Sequence, residues 1–446
     1  MNGIVSVFFE KIGRILTNGS IVFLFLLPGV FFTLHFRGYQ IRGIKHIAKS
    51  TVGTLLKRDR AYINKGISPF QAVSTALAGT MGVGNIAGVA TAVTAGGPGS
   101  VIWMWVGAFF GMMTKYAEIF LAMRYRRRGF DGHYYGGPMY YMRYGVGSRG
   151  LAGCFAMLCI MCSFGIGNLA QINSVSGVML ESFGVPPLLT GCVFALLLGL
   201  VLFGGVKRIA RVAEFTIPFI SISYLCFCFV YLWIQREMLL PCIGLMMREA
   251  LGLRAATGGA LGYGVIQVAR FGLARGVFTN EAGLGSAPIA HAAADCESPS
   301  CQAMWGVFEV FLDTVVVCTM TAMVILTACG GTLWRSGLDG APLTSMAFES
   351  LFSGIGANFI AVSIAVFAFA AMIGWYYYGE QALSYLTQGD GKAAGVYRFA
   401  FLSCAIAGTA GSIGVVWGVS DSLNALMMIP NIIALMLLRR EISVDI

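Results

Sequence analysis

Two stretches decide how this chain is read: Ala78-Gly79-Thr80-Met81-Gly82-Val83-Gly84-Asn85-Ile86-Ala87-Gly88, and Gly276-Val277-Phe278-Thr279-Asn280-Glu281-Ala282-Gly283-Leu284-Gly285-Ser286-Ala287-Pro288. Each sets Gly-aliphatic-Gly-polar (Gly82 to Asn85, Gly283 to Ser286) in the middle of a predominantly apolar segment. Glycine costs a helix interior about 0.8–1 kcal/mol relative to alanine, and in a bilayer the backbone groups freed by a break must find partners. Several glycines at that depth predict two unwound segments lining a cavity. Close helix packing through Gly84/Gly88 and Gly107/Gly111 is the plainer explanation, but it gives no reason for Asn85, Asn280 and Glu281.

Outward from these stretches, the chain divides into membrane spans. A crossing helix needs about 20 mostly apolar residues, and charge-free runs at 15–36, 66–114, 150–180, 182–206, 215–235, 314–334, 350–379, 399–420 and 422–438 supply them. The run 66–114 carries Gly96-Gly97-Pro98-Gly99 at its middle and reads as two spans joined by a tight turn. One more span, interrupted by Arg270, Arg275 and Glu281, falls within 269–294. The expected architecture is an all-α membrane protein of eleven transmembrane helices. It comprises an extra N-terminal helix (1–40), a basic cytoplasmic loop (41–68), five helices over 69–235, five over 258–438 and a tail (439–446). The first run is too long for the core of a secretion signal and lacks a small-residue cleavage site, so it reads as a retained span. The stretch 255–268 reads as an outer-face helix or a re-entrant segment.

Five is an odd number, so the two halves run in opposite directions and each opens with a broken helix. Discontinuous helices at matching positions of an inverted repeat mark the midplane binding site of a secondary transporter.

Composition agrees with a bilayer protein. Of 446 residues, 57% are hydrophobic and 11% charged, against about 25% charged in soluble domains; mean hydropathy is +0.77. The net charge of +10 is a topology signal. With eleven spans, twenty-one Lys and Arg fall on one side and six on the other, which puts the N-terminus outside and the C-terminus in the cytoplasm. Nucleic acid is thereby excluded as a partner, and the lipid bilayer is the expected surrounding.

Other chemistries find little support. Most of the twelve cysteines, including the pair Cys159 and Cys162, sit in apolar runs and read as small hydrophobes. The four histidines cluster with nothing in sequence, so no metal site is argued. Gly82-Val83-Gly84-Asn85-Ile86-Ala87 and Gly165-Ile166-Gly167-Asn168-Leu169-Ala170 match a loose dinucleotide fingerprint but lack its strand-turn-helix context. No catalytic constellation marks a membrane enzyme, and two broken helices fit an occluding carrier better than an open channel.

The residues also carry a family resemblance. The stretch 76–126, with Gly82-Val83-Gly84-Asn85, Gly96-Gly97-Pro98-Gly99, Ile102-Trp103-Met104-Trp105 and Lys115-Tyr116-Ala117-Glu118, resembles the alanine/glycine:cation symporter family. So do the stretch 275–291 and Gly374-Trp375 followed by Tyr377-Tyr378-Gly379-Glu380. The resemblance spans nearly the whole chain. It implies a leucine-transporter-type fold of five plus five helices after one extra helix, and a bacterial or archaeal inner membrane. It further implies uptake of a small neutral amino acid, alanine or glycine, driven by sodium with no other cofactor.

A zwitterion needs complementary charge at both ends, and broken helices supply it without ionised side chains. The half-helix starting near Gly84 and Asn85 would aim N–H groups and its positive dipole end at a carboxylate. Carbonyls freed around Thr80 and Phe278 could accept from the ammonium or hold a cation, while Gly82 and Gly84 permit close approach. By similarity to the wider fold, Asn85 and Thr279 would give side-chain oxygens and Thr80 a carbonyl to a first sodium; Asn85 could equally cap the half-helix. Asn168 and Gln171, one turn apart, could reach the substrate or bond between helices. Trp375 could wall the pocket or simply pack.

Glu281 is a functional candidate because a mid-membrane carboxylate costs about 2.5–3.5 kcal/mol on insertion scales. It could face the ammonium, a cation or a proton, or pair with Arg275 or Lys115. Glu118 reads as a structural i,i+3 partner of Lys115. The chain departs from its apparent family at Ala370-Ala371, where the pattern has a Ser-Thr pair. Methyls cannot replace hydroxyls around a hard cation, so a second cation site would keep only carbonyls near Ala78 and Met81. Weaker sodium dependence, or a coupling proton, is expected.

Overall fold

The computed structural model describes residues 19–56, 67–129, 132–252, 261–296, 298–411 and 413–444. The first residues of the N-terminal span, Lys57, Arg58, Arg60 and Lys65 of the basic loop, the opposite-side charges Lys11, Arg14 and Arg254, and the last two tail residues lie outside the described residues. Apart from a two-residue hairpin ladder, Arg127–Arg128 with Tyr134–Tyr135, the described chain is helical.

Among the described residues, seven helices are long and apolar enough to cross a membrane, and Leu26–His35, Ala87–Gly96 and Pro187–Leu202 are shorter apolar ones. Several begin where the sequence supplies a cap. Ser68 accepts from Gln71 N–H and Gln71 reaches back to Ser68 N–H, with Pro69 at the first helical position. Ser298 accepts from Cys301 N–H, with Pro299 at the first helical position. Such residues satisfy donors that the first turn leaves free.

Both glycine-rich stretches are breaks. The first helix runs Pro69–Thr80, gives way to a single 3-10 turn at Val83–Asn85, and resumes as Ala87–Gly96. The second runs Leu261–Asn280 and resumes as Ala287–His291. Ser100–Arg124 lies at the centre, against Leu261–Asn280 and Pro299–Val310, and Gly356–Thr387 packs on Pro69–Thr80 and Arg149–Phe164. There Gly374 lies on Gly79, where an added Cβ would come within 2.5 Å of Gly79 N.

Several span limits differ from expectation. The span expected at 314–334 begins at Pro299 and contains Glu309 and Asp313, both fully buried. Charge-free runs miss it because these acids are partnered inside the protein. Gly356–Thr387, Gly391–Ala407 and Ile413–Leu437 likewise take in charged residues, Glu380, Lys392 and Asp421, that the charge-free runs left out. The extra helix after the first half is Leu239–Ala250, and 261–268 already belongs to the second broken helix; the stretch 253–260 lies outside the described residues.

Candidate functional site

At the first break Met81 and Gly82 are extended, which frees backbone donors on the following turn. Gly82 N–H donates to Asn85 Oδ1 at 3.2 Å and Val83 N–H to Gln171 Oε1 at 3.2 Å. Trp375 Nε1 donates to Gly79 O at 3.2 Å, and the Thr80 hydroxyl lies 2.9 Å from Ala76 O and 2.8 Å from Glu309 Oε1. An added Cβ on Gly82 would lie 2.9 Å from Gln171 Oε1 and 3.1 Å from the Ala371 methyl. Glycine is what lets these groups close on the backbone.

At the second break Glu281, Gly283 and Gly285 take φ of +54°, +93° and +81°. A residue with a Cβ rarely adopts this region, and such strain persists where surrounding contacts hold it. Here Asn280 Oδ1 accepts from Ala282 N–H at 3.0 Å, Ser286 donates to the Glu281 carboxylate, and Asn431 Nδ2 donates to Gly283 O at 2.8 Å. The two breaks face each other, since an added Cβ on Gly84 would lie 3.0 Å from Thr279 Cγ2.

The residues that join the breaks were missed by the charge-free criterion. The helix begun at Pro299 contains a π-helical bulge over Phe311–Cys318, a feature often found at functional sites. Asp313 Oδ1 accepts from Asn85 Nδ2 at 2.6 Å and Oδ2 from the Thr314 hydroxyl at 2.9 Å, while Asn280 Nδ2 donates to Thr314 Oγ1 at 3.1 Å. One continuous chain of polar contacts therefore runs Asn280–Thr314–Asp313–Asn85. One turn earlier, Glu309 lies 3.3 Å from Lys115 Nζ and 3.0 Å from His291 Nε2, and His291 Nδ1 meets Gln302 at 2.7 Å. All of these groups are buried. The available signal was Glu309 and Asp313 at i,i+4 in an otherwise apolar stretch, a spacing that puts both on one helix face.

Of the expected site residues, Thr80, Gly82, Gly84, Asn85, Gln171 and Trp375 gather at the first break. Ala371 touches the same place, so its methyl is a wall of the gap at Gly82. Met81 turns its sulfur to the Ser221 hydroxyl at 3.7 Å, and Ala78 lies beneath Gly374. Thr279 donates its hydroxyl back along its own helix, to Arg275 O at 2.5 Å. Asn168 spends its amide nitrogen on Phe401 O at 2.8 Å, an inter-helix bond, while its Oδ1 has no hydrogen-bond partner. The expected pair of Lys115 with Glu118 is not formed, nor is the alternative pairing of Glu281 with Arg275 or Lys115. Lys115 pairs with Glu309 and Glu118 accepts from Asn431 instead, because the bulged helix brings a carboxylate closer to the ammonium. Arg275 pairs with Asp421 at 3.5 Å, leaving Glu281 to Ser286.

Above the breaks lies a cavity of ≈ 490 Å³ lined by Gly88, Thr91, Ser174, Arg275, Asp339 and Trp417, among others. The Arg275 guanidinium sits 5.6 Å from the Phe278 ring centre and 5.8 Å from that of Trp417. Phe278 thus lies beside two residues that line this cavity. Among the described residues no three His, Cys, Asp or Glu side chains group to hold a metal ion.

The chain is 41% identical over 421 residues to the sodium/alanine symporter AgcS of Methanococcus maripaludis, covering 93% of this chain and 90% of that protein. It is 36% identical over 430 residues to the probable sodium/glutamine symporter GlnT of Bacillus subtilis, covering 96% and 87%. A crystal structure of a mutant manganese transporter from Eremococcus coleocola superposes with a TM-score of 0.54 at 13% identity, covering 84% of this chain and 78% of that one, so the helical fold is shared. A model of the sodium:alanine symporter family matches residues 2–445. This chain belongs to the sodium:alanine symporter family, whose members are membrane carriers of amino acids and not enzymes.

Proposed function

We propose that this protein imports alanine or glycine together with sodium across a bacterial or archaeal inner membrane. The observation that carries this reading is the buried link Asn280–Thr314–Asp313–Asn85, which ties both broken helices to one carboxylate. A hard cation takes oxygen ligands. A half-turn of the Asn85 amide exchanges its nitrogen for its oxygen, setting that oxygen beside Asp313 and Thr314 as a cation cradle. The substrate carboxylate would take the N–H groups of the turn at Val83–Asn85, where Gln171 now occupies Val83 N–H. Its ammonium would meet the carbonyls that end the helix Leu261–Asn280, the negative end of that helix dipole. Eleven spans in two inverted halves, N-terminus outside, complete the reading and make the cavity above the breaks an outer vestibule.

Proteoliposomes carrying an inward sodium gradient are expected to accumulate labelled alanine above the external concentration. No accumulation under either a sodium or a proton gradient would overturn the reading. A coupling proton is the second possibility, favoured by Glu281, which is buried, forms no ion pair among the described residues and is bonded to Ser286; a proton gradient alone would then suffice. Ala370→Ser with Ala371→Thr is expected to steepen the sodium dependence. Unchanged two-sodium behaviour in both proteins would place the second ion elsewhere.

The gap at Gly82 is bounded by Gln171 and the Ala371 methyl, which supports a compact substrate. Leucine and phenylalanine are expected to compete at least about tenfold less well than alanine, the scale on which pockets resist extra methylenes. Equal competition by leucine would exclude this pocket.

A further inference from the structure

The short helices after the first span have no role in the site. Tyr39–Arg42, Ile44–Ser50 and Val52–Leu56 are held in place by contacts of Tyr39 and Gln40. The Tyr39 hydroxyl lies 3.0 Å from His46 Nδ1 and 3.7 Å from Met304 Sδ, and Gln40 Nε2 reaches Phe109 O at 3.4 Å. Their exposed side chains fall into two stripes. Ile41, Ile44, Ala48 and Val52 form an apolar one, with Ile41 and Ile44 each 62% exposed; Arg42, Lys45 and Lys49 form a basic one a third of a turn away. The apolar stripe forms the lower wall of a groove of ≈ 850 Å³ whose other walls include Val106, Phe109, Phe308 and Phe311. The groove lining climbs the central helix from Met112 to Ile102, roughly 15 Å at 1.5 Å per residue. That is half of a hydrocarbon core of about 30 Å, one leaflet.

We propose that this groove holds an acyl chain of an anionic glycerophospholipid from the cytoplasmic leaflet, with its phosphate on Arg42, Lys45 and Lys49. The leaflet follows from the orientation proposed above. Charge decides the occupant: a basic stripe bordering an apolar one matches a negative headgroup above hydrocarbon, whereas a zwitterionic lipid brings its own cation and no net negative charge to the three basic residues. The upper wall includes Phe311 and Val315, which flank Asp313 and Thr314 in the bulge. An occupant therefore packs against the segment that aims the carboxylate.

Native mass spectrometry of the purified protein tests this without reference to transport, so its failure is separate from failure of the symport reading. The wild type, incubated with phosphatidylglycerol or phosphatidylcholine, is expected to retain the first and release the second. Arg42→Gln, Lys45→Gln and Lys49→Gln together should weaken retention about a hundred-fold, at roughly fivefold per basic residue near a charged leaflet. Ile44→Trp with Val106→Trp fills the groove, keeps every charge and should also abolish retention. That variant decides alone where the triple variant does not fold. Equal retention of both lipids, unaltered retention in the filled groove, or a lipid-free dimer closed over it would each overturn the proposal.

Discussion

Asp313→Asn is expected to abolish sodium-driven accumulation while the protein still inserts and folds. The carboxylate is buried in the bulge Phe311–Cys318, and its two oxygens receive Asn85 and Thr314. Asparagine preserves the shape and one acceptor but removes the charge that would balance an incoming cation. Taking away one side of a buried charge contact costs about 3–5 kcal/mol, roughly two to three and a half orders of magnitude in binding. Initial uptake at a fixed, subsaturating sodium concentration should fall at least about a hundred-fold. Asn85→Ala should do the same, because it removes both the oxygen on Gly82 N–H and the donor to Asp313. Near wild-type uptake with unchanged sodium dependence in a well-folded Asp313→Asn protein would remove Asp313 from the cation site.

Lys115→Met is expected to have the largest effect on stability. Its ammonium lies 3.3 Å from Glu309, and both side chains are wholly enclosed. Without it, Glu309 keeps Thr80 and His291 but loses its only permanently cationic neighbour within ion-pair distance among the described residues. Breaking such a pair from one side destabilises by about 3–5 kcal/mol, whereas replacing both partners with apolar groups is often close to neutral. Lys115→Met/Glu309→Leu should therefore recover most of the melting temperature lost in Lys115→Met, and transport should not recover with it. Additive losses of stability in the double variant would show that the two side chains are held by other contacts.

The broken helices were legible because helix packing, the common use of glycine at membrane depth, leaves Asn85, Asn280 and Glu281 beside the glycines unexplained, and Gly82 and Gly283 do mark the unwound segments. Gln171 and Trp375 were legible only as polar and aromatic groups on their spans; that both close on the first break, through Val83 N–H and Gly79 O, came from the structure. Asp313 and Glu309 were not legible, since searching for spans by absence of charge discards the buried acids that a binding site requires. The register of the π bulge was equally hidden. One additional residue in a turn rotates everything beyond it, and nothing in Phe311-Leu312-Asp313-Thr314 announces that insertion. For Asn168 the sequence left a substrate contact and an inter-helix bond open, and the position of Phe401 O shows the inter-helix bond of its amide nitrogen.

The contact of Gly374 on Gly79 has a mechanical consequence. Backbone pressed on backbone does not compress, and Trp375 Nε1 fastens the same point to Gly79 O. Any tilt of the helix Gly356–Thr387 would therefore turn about a fulcrum that is not at its centre. From Gly374 the arm toward Gly356 is about 27 Å and the arm toward Thr387 about 20 Å, at 1.5 Å per residue. A rigid rod turning there displaces its Gly356 end roughly 1.4 times as far as its Thr387 end. Spin-label distances measured at both ends during substrate exchange would register the ratio, and equal travel would mean that the rod slides past Gly79 instead of levering on it.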